Sequence, residues 1–444
     1  MEPGRVKMQR RPDFQGMDVS LSQDLTEDEA KTVISSINQF CEQVLRYGKD
    51  WHVIERGAAT DPSCVLALVF AADYEVAKER MDKARAHLER ARKVADASEV
   101  TEREKLYVDA FNSWMAGDLP RAYADFKRIT ELYPMDLFAL KRGQLVAFCV
   151  GDRAGMLEIA LAMRDTSGDR PYFNGMLCFA LEQNGRYDEA LAAGKRGVEI
   201  AEDDPWAHHS VAHALLSLDR PDEGVEWLSK YAHYWEDCMS FMHTHNWFHL
   251  ALFHLSKSAH NEIESIYYPH IFLTDEAQQQ MEAAKKDESF PAHDNRNTQD
   301  QLGAMGLLWK WELMGGRGLE PKWRQLLPYD RRHGHADPFY DVLLLHTLLR
   351  MGKREEAREM VAEIEKATES LPSPRKEQLN QVWVPLCKGI YAYETGHKEE
   401  GLKLLNEAHL DDHLHIIGGS NEQREVVHDY HRHVAQQQQQ HQKK

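Results

Sequence analysis

Loop-forming residues recur along this chain at a fixed interval. Gly117, Gly151, Gly185 and Asp219 are evenly spaced, and Ser258 holds the same place one longer unit on. An apolar-rich helical segment precedes most of these marks, and a second follows each of them. A unit of two helices and a turn cannot bury its apolar face alone, so it becomes stable only when neighbours repeat it. The interval therefore predicts an all-α chain of paired antiparallel helices stacked as a superhelix. Such stacking also frees a chain of 444 residues from the size limit of a single hydrophobic core.

The spacing of the marks is that of tetratricopeptide repeats, helix–turn–helix units of about 34 residues. The clearest one runs from Thr101 to Pro134. Thr101 caps, Leu106 and Ala110 lie on the inner face, Gly117 turns the chain, and Ala122 and Phe126 pack the second helix back before Pro134 stops it. A weaker unit follows, a third turns at Gly185, and Pro205 starts a fourth. A fifth opens at His245-Asn246-Trp247 and closes at Tyr267-Tyr268-Pro269-His270. In chain order, residues 1–22 read as a disordered N-terminal tail. Residues 23–100 read as divergent N-terminal helical repeats, with Asp24 as the first N-cap candidate and Glu27 three places on. Residues 101–273 are the repeat core, and 274–300 a charged, Gln-rich connection. Residues 301–435 are further helical repeats turning at Gly352 and Gly396, and 436–444 a disordered Gln-rich tail.

Charge and cysteine usage narrow the partners. A formal net charge of −18 makes the surface as a whole repel phosphate backbones, which argues against nucleic acid as the main partner. No apolar run approaches the roughly 18 residues of a membrane helix. The six cysteines are scattered without a C-x-x-C pair, and the basic N-terminus lacks the apolar run of a signal peptide. A cytoplasmic, reducing setting is the expectation. Repeat domains that clamp a chaperone's C-terminal carboxylate use Lys, Asn and Arg in the groove. The corresponding places here are Tyr107, Phe111, Gly175 and Phe179, with only Lys141 basic, so a chaperone tail is not the expected partner.

Several separated motifs carry a more specific resemblance. They are WAHHSVAHAL (Trp206, His209, Ala212, His213), HNWFHLAL, YYPHI with His270, GLLWKWELMGG followed by KWRQLLP, and IGGSNEQREVV near the C-terminus. In this order they resemble the tetratricopeptide repeat protein 38 family, over roughly Asp24 to Ala435. The resemblance implies a tetratricopeptide-like fold and no settled activity. One departure stands out: the family's His-Glu dipeptide after the second histidine of the first box is Leu215-Leu216 here.

Histidines form the most informative polar set. His209 and His213 are spaced i,i+4, as are His245 and His249, so each pair shares one face of a first helix in adjacent repeats. Imidazole suits zinc, iron, copper or nickel, so these four are candidate ligands of a divalent transition metal such as zinc. The competing reading has the rings hydrogen-bonding one another, carbonyls and Trp or Tyr side chains, and so fixing the packing between repeats, which Trp206, Trp235 and Trp247 favour, with no cofactor needed. In IGGSNEQRE, Ser420 or Asn421 suits an N-cap; alternatively the helix start, with Gln423 and Arg424, faces an anion. No nucleophile elbow, H-E-x-x-H helix or phosphate loop is present.

Taken together these residues point to a repeat scaffold that binds a peptide or protein partner in a concave, His- and aromatic-rich groove. Trp206, His209, His213, His245, Asn246, Trp247, His249, His270, Gln423 and Arg424 are its candidate contacts. The alternative is a metal-dependent or acid–base enzyme acting on a small molecule in the same groove.

Overall fold

Each predicted turn takes up the left-handed backbone that ends a helix. Gly117, Gly151 and Gly185 have φ of 79°, 76° and 73°, while Asp219 and Ser258 follow at 53° and 54°. The hydrogen bonds explain the recurrence. Gly117 N donates to Trp114 O (2.9 Å) and Asp118 N to Ser113 O (2.9 Å), which satisfies two carbonyls left over at the helix end. The same pair of bonds closes the turns at Gly185, Asp219 and Ser258. A left-handed residue at this place costs glycine least, which is why glycine marks the period.

The structure is a computed structural model that describes residues 6–284, 287–291, 293–295, 297–326, 335 and 337–442. Leu327 and Pro328 of the KWRQLLP motif lie outside the described residues. The fold is all-α and tetratricopeptide-like, and among the described residues one two-stranded hairpin interrupts the helices. It divides into two compact units. One holds Met1–Ala214, His233–Met242 and Lys286–Ala292; the other holds Leu215–Ala232, His243–Lys285 and His293–Lys444. The division falls inside the stretch 101–273 that the repeat pattern treats as continuous.

In the first unit, helices pack as consecutive hairpins: Val65–Ala77 with Met81–Ala97, Glu102–Met115 with Leu119–Leu132, Leu137–Cys149 with Arg153–Ser167, and Phe173–Gln183 with Tyr187–Ile200. Thr101 caps as expected, in a reciprocal box with Glu104. Ala110 and Ala122 are fully buried, so the helices close in at small side chains. Gly175 shows how close: a Cβ there would come within 2.8 Å of the Ala207 backbone nitrogen. The core is aromatic, with Phe40, Phe70 and Phe138 in contact (Phe70–Phe138 centroids 4.4 Å apart). Such ring pairs add roughly 0.5–1.5 kcal/mol each beyond area burial.

Three expectations about loose segments are corrected. The N-terminal stretch is no disordered tail over its described residues: Gln9–Pro12 pairs antiparallel with Asp18–Leu21, and Val19 and Leu21 are fully buried. Its polar atoms find buried partners far along the chain, with Ser20 N donating to Glu104 Oε1 (2.9 Å) and Arg103 bonding Asp13 (2.8 Å). The stretch 274–300 contains the helix Asp275–Ala284, and its Phe290 enters the first unit's core, where Phe290 N donates to Lys49 O (2.8 Å). The Gln-rich end continues the helix Asn421–Gln442, and Gln437 Oε1 accepts from Tyr393 OH (2.9 Å). Glutamine is a good helix former, so a neighbouring helix turns a low-complexity run into structure. At the first helix, Glu27–Leu45, the cap is Thr26 boxed with Glu29 rather than Asp24. Val53–Thr60 is a helix the repeat pattern does not contain.

In the second unit, Thr298–Leu313 packs against Pro338–Arg350 and Asn421–Gln442, and Arg375–Glu394 against Lys398–Glu407. Trp309 is the shared anchor, stacked on His346 (3.9 Å) and edge-on to Tyr430 (5.1 Å).

Candidate functional site

Helix Pro205–Ser217 starts at Asp204, whose Oδ1 accepts from Trp206 N (3.0 Å) and Ala207 N (3.1 Å). The helical spacing then puts His209 and His213 on one face, with their Nε2 atoms 2.9 Å apart. Both rings are buried. Trp206 stacks on His209 (4.4 Å) and Tyr47 on Trp206 (5.3 Å), while Phe179 meets His213 edge-on (5.4 Å). On the far side of His213, Glu182 Oε2 lies 3.6 Å from Nδ1. That carboxylate is fully buried and accepts from Gln183 Nε2 (2.6 Å).

The second pair is built in the same way on Ser240–Ser256. His245 and His249 present Nε2 atoms 3.3 Å apart, and Phe248 stacks on His245 (5.6 Å). Asn246 is buried, and half-buried Trp247 stacks on His270 at 3.7 Å. His270 sits in a π-helical turn, Tyr267–Ile271, and His243 lies 5.8 Å from its ring and 4.4 Å from that of His293.

An open groove lined by histidine is therefore corrected. His209, His213, His245 and His249 are at most 7% exposed, and of the first-named candidates only Trp206, Trp247 and His270 are half-buried. The physical reason is that i,i+4 imidazoles in an otherwise apolar helix are packed between aromatic rings. Lys141, the one basic groove position, is also engaged: Nζ donates to Leu45 O (3.0 Å) and sits 3.4 Å from the Tyr47 ring. Burial pushes its ammonium well below the usual lysine range. His208, absent from the sequence candidates, is structural, since Trp235 Nε1 donates to its Nδ1 (3.3 Å) and its Nε2 reaches Glu202 O (2.9 Å).

Gln423 and Arg424 serve the helix start. Gln423 Oε1 accepts from Ser420 N (2.8 Å) while Ser420 Oγ accepts from Gln423 N (3.3 Å), a reciprocal cap. Arg424 donates to Gly418 O (3.0 Å), to Gly419 O, and to Asn421 Oδ1 (2.8 Å). The guanidinium is folded back on its own loop, which gives the segment a capping chemistry.

Two residues with a bearing on chemistry escape sequence reasoning. Glu182 stands nearly one repeat before His213, and its one local signal is an acid inside an apolar helix. The other is His346, buried against Trp309 and Trp323. Burial first, then the nearby Arg350, holds its imidazole well below the usual histidine range. The unfolded chain binds this proton near pH 6.5 and the folded chain does not, so stability is full above that pH and falls as pH drops below it. Unfolding free energies from denaturant titrations at pH 7.5 and 5.5 are expected to differ more in the wild type than in His346→Phe, by about 1 kcal/mol. Equal pH dependence in both proteins contradicts the assignment.

No protein-family model matches the chain. Among solved structures it is similar to the human IFIT1 dimer with m7Gppp-AAAA, at 11% identity and TM-score 0.43, over 94% of this chain and 88% of that one. It is similar to the P58(IPK) TPR domain at 12% identity and TM-score 0.22, over 93% and 99%. For MamA MSR-1 C2 the identity is 17% and the TM-score 0.28, over 38% and 95%. Likenesses at these scores carry no functional argument. The chain's standing as a tetratricopeptide-like helical repeat protein rests on its own helix pairs, turned once per repeat by a left-handed residue.

Proposed function

We propose that this chain is a cytoplasmic tetratricopeptide-type scaffold that binds a protein or peptide partner, in keeping with its resemblance to the tetratricopeptide repeat protein 38 family. Stacked helix pairs present pre-formed concave surfaces that suit extended ligands. The burial of the histidines moves the proposed contact surface away from them, to a second place. That place, the observation that carries the reading, is a groove of about 700 Å³ in the first unit, lined by Pro12, Phe14, Ile34, Asn38, Leu45 and Tyr172. It mixes apolar side chains, amides and charged groups such as Lys31 and Glu42, which suit the backbone and side chains of an extended peptide. Phe14 is half exposed at its edge.

A photo-crosslinking amino acid at position 14 tests this in the protein's own cells. A discrete adduct that disappears with Ile34→Arg, and is absent when the crosslinker replaces exposed Lys403, is the expected result. No adduct, or the same adduct at both positions, contradicts it. The second reading, a metal-dependent or acid–base enzyme acting on a small molecule, is favoured by the matched geometry of the histidine pairs.

A further inference from the structure

We propose that His209 with His213, and separately His245 with His249, each form a two-imidazole site for a divalent transition metal, with zinc an ion that suits imidazole donors. The inference is independent of partner binding at the Phe14 groove, and either can fail alone.

The distances carry the argument. Two imidazole nitrogens held about 2.0–2.1 Å from zinc lie about 3.3 Å apart at a tetrahedral angle and about 2.9 Å apart at a right angle. The observed separations are 3.3 Å for His245 and His249 and 2.9 Å for His209 and His213, Nε2 to Nε2 in both pairs. The alternative is a shared proton, an N–H···N bond within each pair. Both separations also admit that bond, and the cobalt spectrum below tells the two apart. Repetition matters as well: in each pair both rings turn the same nitrogen inward, one turn apart on a helix, the spacing that lets two side chains hold one ion.

The surroundings fit a ligand set better than a proton pair. All four rings are buried. Glu182 supplies the usual supporting group. With Oε2 3.6 Å from His213 Nδ1, an ion-pair rather than a hydrogen-bond distance, its charge favours a proton on Nδ1 and leaves Nε2 as the lone-pair donor. Gln183 in turn orients that carboxylate. Glu182 is thus a positioning residue, not a ligand.

The test uses the full chain without a histidine tag, stripped with chelator, then titrated with cobalt(II) and with zinc. Expected are stoichiometric uptake, visible cobalt d–d absorption that zinc abolishes, and a raised melting temperature with zinc. His209→Ala/His213→Ala is expected to lose the cobalt spectrum of that pair, and Glu182→Gln to bind about 10-fold or more weakly with helicity kept. His346→Phe, a buried histidine outside the pairs, should bind as the wild type does. Should the double variant fail to fold, His213→Gln and His249→Gln read by the same cobalt spectrum decide the matter. Absence of uptake by the wild type, or an unchanged spectrum in the pair variants, overturns the proposal.

Discussion

Replacing Arg103 by alanine is expected to destabilise the first unit by about 3–5 kcal/mol, because the change strands two buried carboxylates. Arg103 is 2% exposed and bonds Asp136 Oδ2 (2.7 Å) through Nε and Asp13 Oδ2 (2.8 Å) through Nη1. Asp136 is already committed elsewhere: its Oδ1 accepts from Tyr107 OH (2.8 Å) and caps the next helix through Ala139 N (3.0 Å). Losing the guanidinium leaves the acids to be neutralised or hydrated at the cost of the packing around them. It also removes the bond to Asp13, whose Oδ1 still accepts from Gln15 N and Met17 N, and so loosens the hairpin that Ser20 and Glu104 tie to the same helix. Urea unfolding, together with hydrogen exchange over residues 9–21, measures both effects. Arg186→Ala, which removes an exposed, solvent-screened pair with Glu189, is the control and should leave the unfolding transition where it is in the wild type. If Arg103→Ala behaves like that control, the network is not what holds the N-terminal hairpin.

Phe290→Ala is expected to cost about 3–5 kcal/mol, the usual range for emptying a buried aromatic site. The ring is edge-on to Trp51 (5.4 Å) and Tyr74 (5.9 Å), and Lys78 Nζ lies 4.5 Å from its centroid. Tyr74 OH also donates to Glu288 O (2.9 Å), so backbone and side chains close the same contact. The flanking segment is polar, so the loss should appear as local opening rather than global unfolding. Faster amide exchange at residues 287–290 and new protease cleavage there are the readouts. Protection equal to the wild type contradicts the assignment of Phe290 as the anchor.

These two residues mark where sequence reasoning ran short. The repeat pattern singles out neither: Arg103 lies in the first helix of the Thr101–Pro134 unit and Phe290 in the Gln-rich stretch 274–300. Their roles depend on partners far away along the chain, such as Asp13 for Arg103 and Tyr74 for Phe290. The histidine pairs were half legible. Spacing of four in a helix placed each pair on one face. Whether that face was open or buried depended, for His209 and His213, on Tyr47, Trp206 and Phe179 closing over it.

What the sequence determined by itself is local and periodic: the paired helices, the turns at Gly117, Gly151 and Gly185, the box at Thr101, the facing of imidazoles one turn apart. Each follows from hydrogen bonds and backbone angles that span little more than one helical turn, and so recurs wherever the residues recur. Only the tertiary structure decided that the N-terminal stretch is a buried hairpin, that Glu182 stands behind His213, and that Phe290 joins a distant core. Those outcomes depend on desolvation and on long-range pairing, which have no period to read.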